Sequence, residues 1–226
     1  MAIGAEAGPA VAAEARAAIA AEPRPAAGVG SAVAAEAHAG VAPGARPAVA
    51  ALSFGADVVL VVAGVPGAGK TTLLRRLFPP GTAGVRVLDS DHTRTWWRPY
   101  LGRLPYRWWR PIVHVTHYAR VLLALRAPGP VVVHECATKS WVRRMLFTAA
   151  RRSRRPVHLL LLDVHPRDAL AGQEARGRRV RAASFAAHCR NWQDLMDGAE
   201  ATREAASVTR MGRAGATRLE AIHFVG

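Results

Sequence analysis

The sequence predicts an α/β fold: a three-layer sandwich in which helices cover both faces of a mostly parallel five-stranded sheet. Two observations predict it. Short apolar runs alternate with segments of helical spacing, which is the pattern of parallel strands joined by crossover helices. The first run, Val58–Ala63, also leads through a glycine-rich loop directly into a predicted helix.

The five predicted strands are short, and the first of them is a continuous apolar run, as a strand buried on both faces of a sheet should be. They are Val58–Ala63, Val85–Leu88, Val131–Val133, Val157–Val164 and Ser207–Arg210.

The predicted helices fill the intervals between these strands and carry apolar residues three or four positions apart. They are Thr71–Phe78, Ile112–Arg126, Trp141–Arg152, a helix that Pro166 opens, a helix with Phe185, Cys189, Trp192 and Met196 on one face, and a closing helix with Leu219, Ile222 and His223.

The first 51 residues differ in composition from the rest of the chain. They are rich in alanine, proline and glycine and contain almost no aromatic or large aliphatic residues. Such a segment has too little apolar surface to offset the entropy of ordering. We therefore expect residues 1–51 to form a disordered tail and residues 52–226 to form one nucleotide-binding domain.

The formal net charge is +15, and all but two of the basic residues are arginine. A GC-rich coding sequence produces this profile without any anionic partner, so a nucleic acid remains an alternative partner only. The two cysteines, Cys136 and Cys189, lie far apart, which favours a reducing compartment. No apolar run approaches the length of a membrane span and no leader peptide precedes the domain, so we expect a cytoplasmic protein without a membrane partner.

The loop Gly64-Val65-Pro66-Gly67-Ala68-Gly69-Lys70-Thr71 matches the phosphate-binding pattern G-x-x-x-x-G-K-[ST] in full. Glycines let main-chain N–H groups approach phosphate oxygens, and the N-terminus of the next helix adds positive potential. Lys70 can reach the β- and γ-phosphates, and the Thr71 hydroxyl is suited to Mg²⁺. We expect the nucleotide site to comprise residues 64–71 together with Thr72.

Two classes of P-loop protein are excluded. GTPases require an N-K-x-D segment, but the only asparagine is Asn191, which Trp192 follows. Transport ATPases require an apolar strand ending in Asp-Glu after their signature, whereas Phe185–Asp194 has helical spacing. The second predicted strand begins close behind the loop and ends in Leu88-Asp89-Ser90-Asp91, which is the compact arrangement of a kinase.

Four segments resemble the small P-loop kinases, many of which are described as AAA-family ATP-binding proteins. They are Val61–Leu74, Val87–Arg94, Val131–Thr138 and Leu170–Val180. This group includes polynucleotide 5′-hydroxyl kinases, zeta-toxin-like kinases, chloramphenicol phosphotransferases and shikimate kinases.

The resemblance implies roles for the carboxylates at the strand ends. Asp91 and Arg94 fit a D-x-x-R pattern that supplies a catalytic base and a substrate-binding arginine. Asp89 would hold Mg²⁺ through water, and Glu135 is a further metal-site candidate. The alternative for Asp89 and Asp91 is that both only cap the following helix.

The resemblance also implies an arginine lid. Arg176 and Arg179 lie on one helical face of the segment after the fourth strand, where they would stabilise charge on the transferred phosphoryl group. The alternative is a solvated arginine run. We assign Arg143, Arg144, Arg151, Arg152, Arg154 and Arg155 to a solvated face.

The acceptor side is expected between the second strand and the next long helix, where aromatic residues and arginines alternate over Trp96–Tyr100 and Pro105–Arg110. These residues would either stack on a substrate ring or pack a helical hairpin. His114 and His117 have the spacing of metal ligands but no apparent third ligand, so we interpret them as structural.

The sequence thus predicts a phosphotransferase that moves the γ-phosphoryl group of Mg-ATP to a hydroxyl of a small molecule or nucleic-acid end, with Lys70, Asp91, Arg176 and Arg179 as catalytic residues. The cofactors are ATP and Mg²⁺. The alternative is an ATP-hydrolysing switch or nucleic-acid-binding ATPase that has no phosphoryl acceptor.

Overall fold

The computed structural model describes residues 50–136, 139–177, 180–198 and 204–226. We number the elements in chain order. The strands are β1 (Ala50–Gly55), β2 (Val59–Ala63), β3 (Arg86–Asp89), β4 (Val131–His134), β5 (Val157–Leu162), β6 (Ser207–Met211) and β7 (Leu219–Val225). The helices are α1 (Lys70–Leu77), α2 (Ser90–Leu101), α3 (Tyr106–Ala124), α4 (Ser140–Arg152), α5 (Pro166–Glu174), α6 (Ala182–Asp197) and α7 (Arg213–Arg218).

Five strands form one parallel sheet in the order β3-β4-β2-β5-β6. This confirms the predicted fold class and all five predicted strands, with small shifts at their ends. Every residue of β2 is buried, because the strand lies at the centre of the sheet under helices on both faces. The carboxyl ends of all five strands therefore open onto the same edge, where the glycine loop leaves β2.

A second sheet pairs β1 with β7 in parallel. The prediction of a closing helix with Leu219, Ile222 and His223 is therefore wrong. The apolar spacing suited a helix, but the segment is rich in β-branched and aromatic residues and pairs with β1 along its length. Its Phe224 ring lies 6.1 Å from that of Phe78 and joins this edge to the core.

The first described strand starts at Ala50, two residues inside the predicted tail. The remainder of the tail lies outside the described residues.

Arg155 is buried, so its assignment to a solvated face is wrong. Its guanidinium donates hydrogen bonds to the carbonyl oxygens of Ala127 at 2.9 Å and Val58 at 3.2 Å, and also to that of Gly129. Five fixed N–H donors allow one arginine to bind several carbonyls at once. Arg155 thus holds the turn before β4 against the start of β2.

Within the described ranges, no helix combines the length and the apolar character needed to cross a membrane.

Candidate active site

The glycine loop has a backbone conformation that favours glycine. Gly67 and Gly69 have φ angles of 94° and 100°, in the left-handed region that side chains disfavour. Gly69 is the residue that precedes the first turn of α1. The loop therefore presents its main-chain N–H groups at the positive end of α1, as phosphate binding requires.

Gly67 is also required by packing, because the loop lies directly against α5. A Cβ atom at residue 67 would lie 1.9 Å from the Ala169 carbonyl oxygen. A Cβ at Gly172 would lie 2.5 Å from the Gly67 carbonyl oxygen. The close contact between loop and helix therefore depends on a glycine on each side.

Lys70 is buried in the loop that it ends. Its Nζ donates hydrogen bonds to the carbonyl oxygens of Gly64 at 2.5 Å and Val65 at 3.1 Å. Both bonds curl the loop around the ammonium group. The cation is therefore held against the first two residues of the loop, on which polyphosphate oxygens would bind.

The carboxylates predicted from the sequence follow β3 and β4, which are neighbours in the sheet. Asp89 ends β3 and is opposite His134 in the strand register. The His134 Nδ1 atom lies 2.7 Å from Asp89 Oδ1, although not in the alignment of a regular hydrogen bond. Asp89 Oδ1 also accepts a hydrogen bond from the Asp91 amide at 2.9 Å, so Asp89 caps α2.

Burial acts to raise the pKa of Asp89, but contact with His134 and the hydrogen bond from the Asp91 amide outweigh it. The net result is a pKa below the ordinary value of 3.8. Asp89 is therefore an anion at neutral pH, as a carboxylate that binds a hydrated metal must be.

Asp91 lies in the first turn of α2, so its side chain is at the same edge of the sheet as the loop. Its Oδ1 atom is 4.0 Å from the guanidinium of Arg94, one helical turn later. The Arg94 guanidinium is 4.4 Å from the centre of the Tyr106 ring, a cation–π contact across the α2–α3 turn. The D-x-x-R pair predicted from the sequence is thus a spatial pair.

Glu135 follows β4 and is held at both carboxylate oxygens. Oε2 accepts a hydrogen bond from the Tyr118 hydroxyl at 3.1 Å, and Oε1 accepts one from the Cys136 amide at 2.8 Å. Burial and the Glu135 carboxylate raise the pKa of the Tyr118 hydroxyl, so Tyr118 remains a donor. Glu135 is therefore fixed in orientation by α3.

Cys136 lies among the charges of the site. Burial raises the pKa of its thiol, the Lys70 and Lys139 cations oppose the shift, and Glu135 and Asp89 add to it. The Glu135 amide donates a hydrogen bond to the Val62 carbonyl oxygen at 3.2 Å, and Asp89 lies opposite His134 in the strand register. Both metal-site candidates therefore lie at the strand-end edge from which the glycine loop leaves β2.

His117 is fully buried on α3, and neither ring nitrogen hydrogen-bonds to a described residue. Burial lowers its pKa, while the carboxylates of Glu135 and Asp89 oppose that shift. His114 is half-buried and accepts a hydrogen bond from Arg110 Nε at 3.2 Å. Across the described ranges, no group of three or more His, Cys, Asp or Glu side chains is spaced to hold a metal alone.

The arginine segment begins beside the loop. Gln173, near the end of α5, is buried; its Nε2 donates a hydrogen bond to the Pro66 carbonyl oxygen at 3.0 Å, and its Oε1 accepts one from the Val180 amide at 2.9 Å. Gln173 thus connects the glycine loop to Val180, which follows the arginine segment. Arg176 is exposed just beyond α5, and Arg179 lies outside the described residues.

The predicted acceptor segments form the helical hairpin α2–α3, and their aromatic residues divide between two environments. Trp109 is buried, and Trp97 Nε1 donates a hydrogen bond to Thr116 Oγ1 at 3.1 Å between the helices. Trp96 and Trp108 instead face solvent.

Thr71, Asp89 and Glu135 offer one hydroxyl and two carboxylates. These are the hard oxygen donors that Mg²⁺ prefers, usually with waters and nucleotide phosphates completing its coordination. The donor chemistry therefore fits a magnesium–nucleotide complex.

The sequence did not identify Tyr118, His134 or Gln173 as parts of the site. His134 had a visible signal, since it ends a strand next to Glu135. Tyr118 and Gln173 act through contacts with residues far away in the chain, which spacing along the sequence does not show.

The glycine loop at the end of β2 and the parallel five-stranded sheet define a class: the protein is an ATP-dependent kinase or ATPase with a P-loop α/β fold. The model of the AAA domain family matches residues 59–202. This match covers more than half of the chain, and the chain belongs to this family. No curated protein matches the sequence.

The chain is similar to several solved structures. A structure from work on the PezAT chromosomal toxin–antitoxin system of Streptococcus pneumoniae matches with a TM-score of 0.57 at 14% identity, over 72% of this chain and 70% of that chain. A gluconokinase from Sinorhizobium meliloti 1021 matches with a TM-score of 0.46 at 17% identity, over 74% of this chain and 89% of that one. A shikimate kinase from Bacteroides thetaiotaomicron matches with a TM-score of 0.43 at 15% identity, over 68% and 86% of the two chains.

Proposed function

We propose that the protein transfers the γ-phosphoryl group of Mg-ATP to a hydroxyl group of a small molecule or of a nucleic-acid end. The observation that carries the proposal is the position of Asp91. This residue lies in the first turn of α2, at the strand-end edge of the sheet that also holds the glycine loop. A carboxylate there faces the crevice in which open α/β sheets bind ligands.

In this proposal Asp91 orients the acceptor hydroxyl and takes its proton as the oxygen attacks the γ-phosphorus. Arg94, which is paired with Asp91 across one helical turn, binds an anionic group of the acceptor. The loop amides and Lys70 hold the β- and γ-phosphates.

Magnesium, when bound, would neutralise charge on the bridging phosphate oxygens. Thr71 would hold it directly, with Asp89 and Glu135 reaching it through water. Arg176 and Arg179 would stabilise the charge that spreads over the transferred phosphoryl group.

The test is a transfer screen with γ-labelled ATP and the full-length protein. The acceptor pools are 5′-hydroxyl oligonucleotides, nucleosides, sugar nucleotides, and alcohols of the aminoglycoside and chloramphenicol type. We expect a labelled product in one pool. If every pool is silent while ATP is still hydrolysed, the protein is a nucleotide-dependent switch and the proposal is wrong.

The Asp91→Asn variant tests the base. It should bind Mg-ATP normally and lose about 10²- to 10⁴-fold in acceptor-dependent ADP release. Asp168→Asn is a matched control, because Asp168 also lies in the first turn of a helix. Equal turnover in the two variants would remove Asp91 from the chemistry.

The Lys70→Met variant tests the nucleotide site itself. We expect calorimetry to show loss of Mg-ATP uptake, since the methionine cannot neutralise phosphate oxygens. Arg75→Met, which removes an exposed cation from the same helix, should bind as the wild type does. Unchanged uptake in Lys70→Met would contradict the assignment of the loop.

A further inference from the structure

Helix α3 has a second apolar face that points away from the core. Its core-facing side carries Trp109, Val113 and Val121, which are all buried. Trp108 and Val115 lie on the opposite side of the helix and are 64% and 70% exposed. A helix that lies on a protein surface usually turns a polar face to water, so this stripe requires an explanation.

Helix α2 extends the same exposed surface. The two helices run antiparallel, because Arg120 donates to Thr93 and Trp97 donates to Thr116. Trp96 and Tyr100 stand one turn apart beside this line of contact, and the handedness of the helices places them on the side of Trp108. They are 55% and 72% exposed.

We define the outer hairpin face as Trp96, Tyr100, Leu104, Trp108, Ile112 and Val115, with Leu104 at the turn between the helices. It is distinct from the candidate active site, because α3 contributes Tyr118 and His117 to that site from another side of the helix.

The charge around the outer hairpin face has one sign. Residues 92–134 contain seven arginines and no aspartate or glutamate. The Arg107 guanidinium lies 5.9 Å from the centre of the Trp108 ring, and Arg103 lies in the turn beside Leu104. Arg98 and Arg110 stand two positions from residues of the face and therefore turn to the opposite side of their helices. Any partner of the face must therefore supply both negative charge and an apolar interior.

We propose that the outer hairpin face docks on an anionic lipid bilayer. Tryptophan and tyrosine favour the level of the lipid headgroups, leucine, isoleucine and valine enter the acyl boundary, and arginines bind acidic headgroups. The sequence suggested no membrane partner because it contains no spanning segment; this contact lies on the bilayer and needs none.

The observations disfavour two other partners. A second copy of the chain would bring two sets of arginines together without a compensating acid on this surface. A nucleic acid would gain from the tryptophans and arginines, but the exposed Ile112 and Val115 provide no ring on which a base stacks.

The test is flotation of the full chain with vesicles of phosphatidylcholine alone and of phosphatidylcholine mixed with phosphatidylglycerol. We expect binding to the mixed vesicles only, and weaker binding as salt is added. Binding to neither vesicle, or equal binding to both, would overturn the proposal.

Variants of the face and matched controls test which residues contact the vesicle. Ile112→Ser/Val115→Ser should reduce the vesicle partition coefficient about tenfold, whereas Val225→Ser, at another exposed valine, should not change it. Arg103→Gln/Arg107→Gln should also lose about tenfold, and the charge-matched Arg75→Gln/Arg152→Gln should lose less. Circular dichroism and Mg-ATP uptake establish that each variant is folded.

Light scattering and oligonucleotide binding examine the rival partners with the same variants. A dimer that the Ile112→Ser/Val115→Ser change dissociates, without any vesicle binding, would identify the face as a contact between copies. Oligonucleotide binding lost in that variant, again without vesicle binding, would identify a nucleic-acid surface. Either result refutes lipid docking.

Discussion

Asp89 has two contacts at one oxygen, with the Asp91 amide and with His134 Nδ1. The first is a helix cap, the second an electrostatic contact between adjacent strand ends. The alternatives of capping and function are therefore compatible at this residue, because a cap that holds Asp89 rigid also fixes its carboxylate at the carboxyl edge of the sheet.

Asp89 should make folding stability depend on pH. Its pKa is lowered on folding, so the unfolded chain binds its proton more readily and the contribution exists only above the unfolded-state pKa. It is lost as the pH falls through the folded-state value. Urea unfolding without divalent cations, from about pH 6 to about pH 3, should show this loss in the wild type and a weaker loss in Asp89→Asn.

His134→Gln is the partner variant, since contact with His134 opposes the effect of burial most strongly. The Asp89→Asn change should alter the pH dependence of the free energy of unfolding less in the His134→Gln background than in the wild-type protein. Additive effects of the two changes would show that the contact between the residues is not the cause.

Single-residue roles were predictable from the sequence where the chemistry is local. The glycine loop and Lys70 form one continuous segment, so their spacing alone predicts their arrangement. The Tyr118–Glu135 hydrogen bond joins an interior position of one helix to the end of a strand. Nothing in the spacing of those two residues shows that α3 turns that side towards β4.

At the scale of elements, the packing of α5 on the glycine loop links nucleotide binding to the segment that carries Arg176. Gly67 contacts Ala169, and Gln173 bridges Pro66 and Val180. Loop and helix form a tightly packed pair, so a change at their contact should affect phosphate binding.

Gly67→Ala should lower both stability and Mg-ATP affinity, because its methyl group would overlap the Ala169 carbonyl. We expect a loss of about 1–3 kcal/mol in the free energy of unfolding beyond the backbone strain. Gly81→Ala measures that strain alone, since Gly81 has a φ of 90° and no atom within 4 Å of an added Cβ. Thermal unfolding and calorimetry compare the two variants.

If Gly81→Ala is as destabilising as Gly67→Ala, backbone conformation rather than the contact with α5 accounts for the loss. If Gly67→Ala binds Mg-ATP with wild-type affinity despite its lower stability, the packing supports the fold without shaping the phosphate site.

Four strands of the main sheet were predictable because valine and leucine dominate them. β6 was predicted as well, although Ser207, Thr209 and Arg210 make it polar. β7 was not, since the spacing of Leu219 and Ile222 suits a helix. Its conformation is decided by pairing with β1, a strand whose first residues the sequence assigns to the tail. A partner at the other end of the domain overrides local spacing.

For the whole molecule, the β1–β7 sheet closes one side of the domain. Phe54 of β1 is buried, and its ring centre lies 4.8 Å from that of His158 on β5. Arg76 of α1 donates hydrogen bonds to the carbonyl oxygens of Thr217 at 2.6 Å and Leu219 at 2.7 Å. The pair of strands is thus attached both to the main sheet and to the helix that follows the nucleotide loop.

Two truncated chains test where the proposed tail ends and the folded domain begins. A chain without residues 1–48 should keep its melting temperature and its Mg-ATP affinity. A chain without residues 1–56 loses β1 and Phe54, which should cost about 3 kcal/mol or more in the free energy of unfolding. Scanning calorimetry measures both. If the chain without residues 1–48 melts at a lower temperature than the full-length protein, the tail belongs to the domain.

Arg155 binds carbonyl oxygens that face it from two separate segments of backbone. An ammonium group concentrates its donors at one point and cannot span such a set, so lysine is not an equivalent replacement there. Even if a GC-rich coding sequence accounts for the many arginines of this chain, the fold requires an arginine at position 155. A lysine at position 155 would therefore weaken the attachment of the turn before β4 to β2, and the same reasoning applies to Arg76, which also donates to more than one carbonyl oxygen.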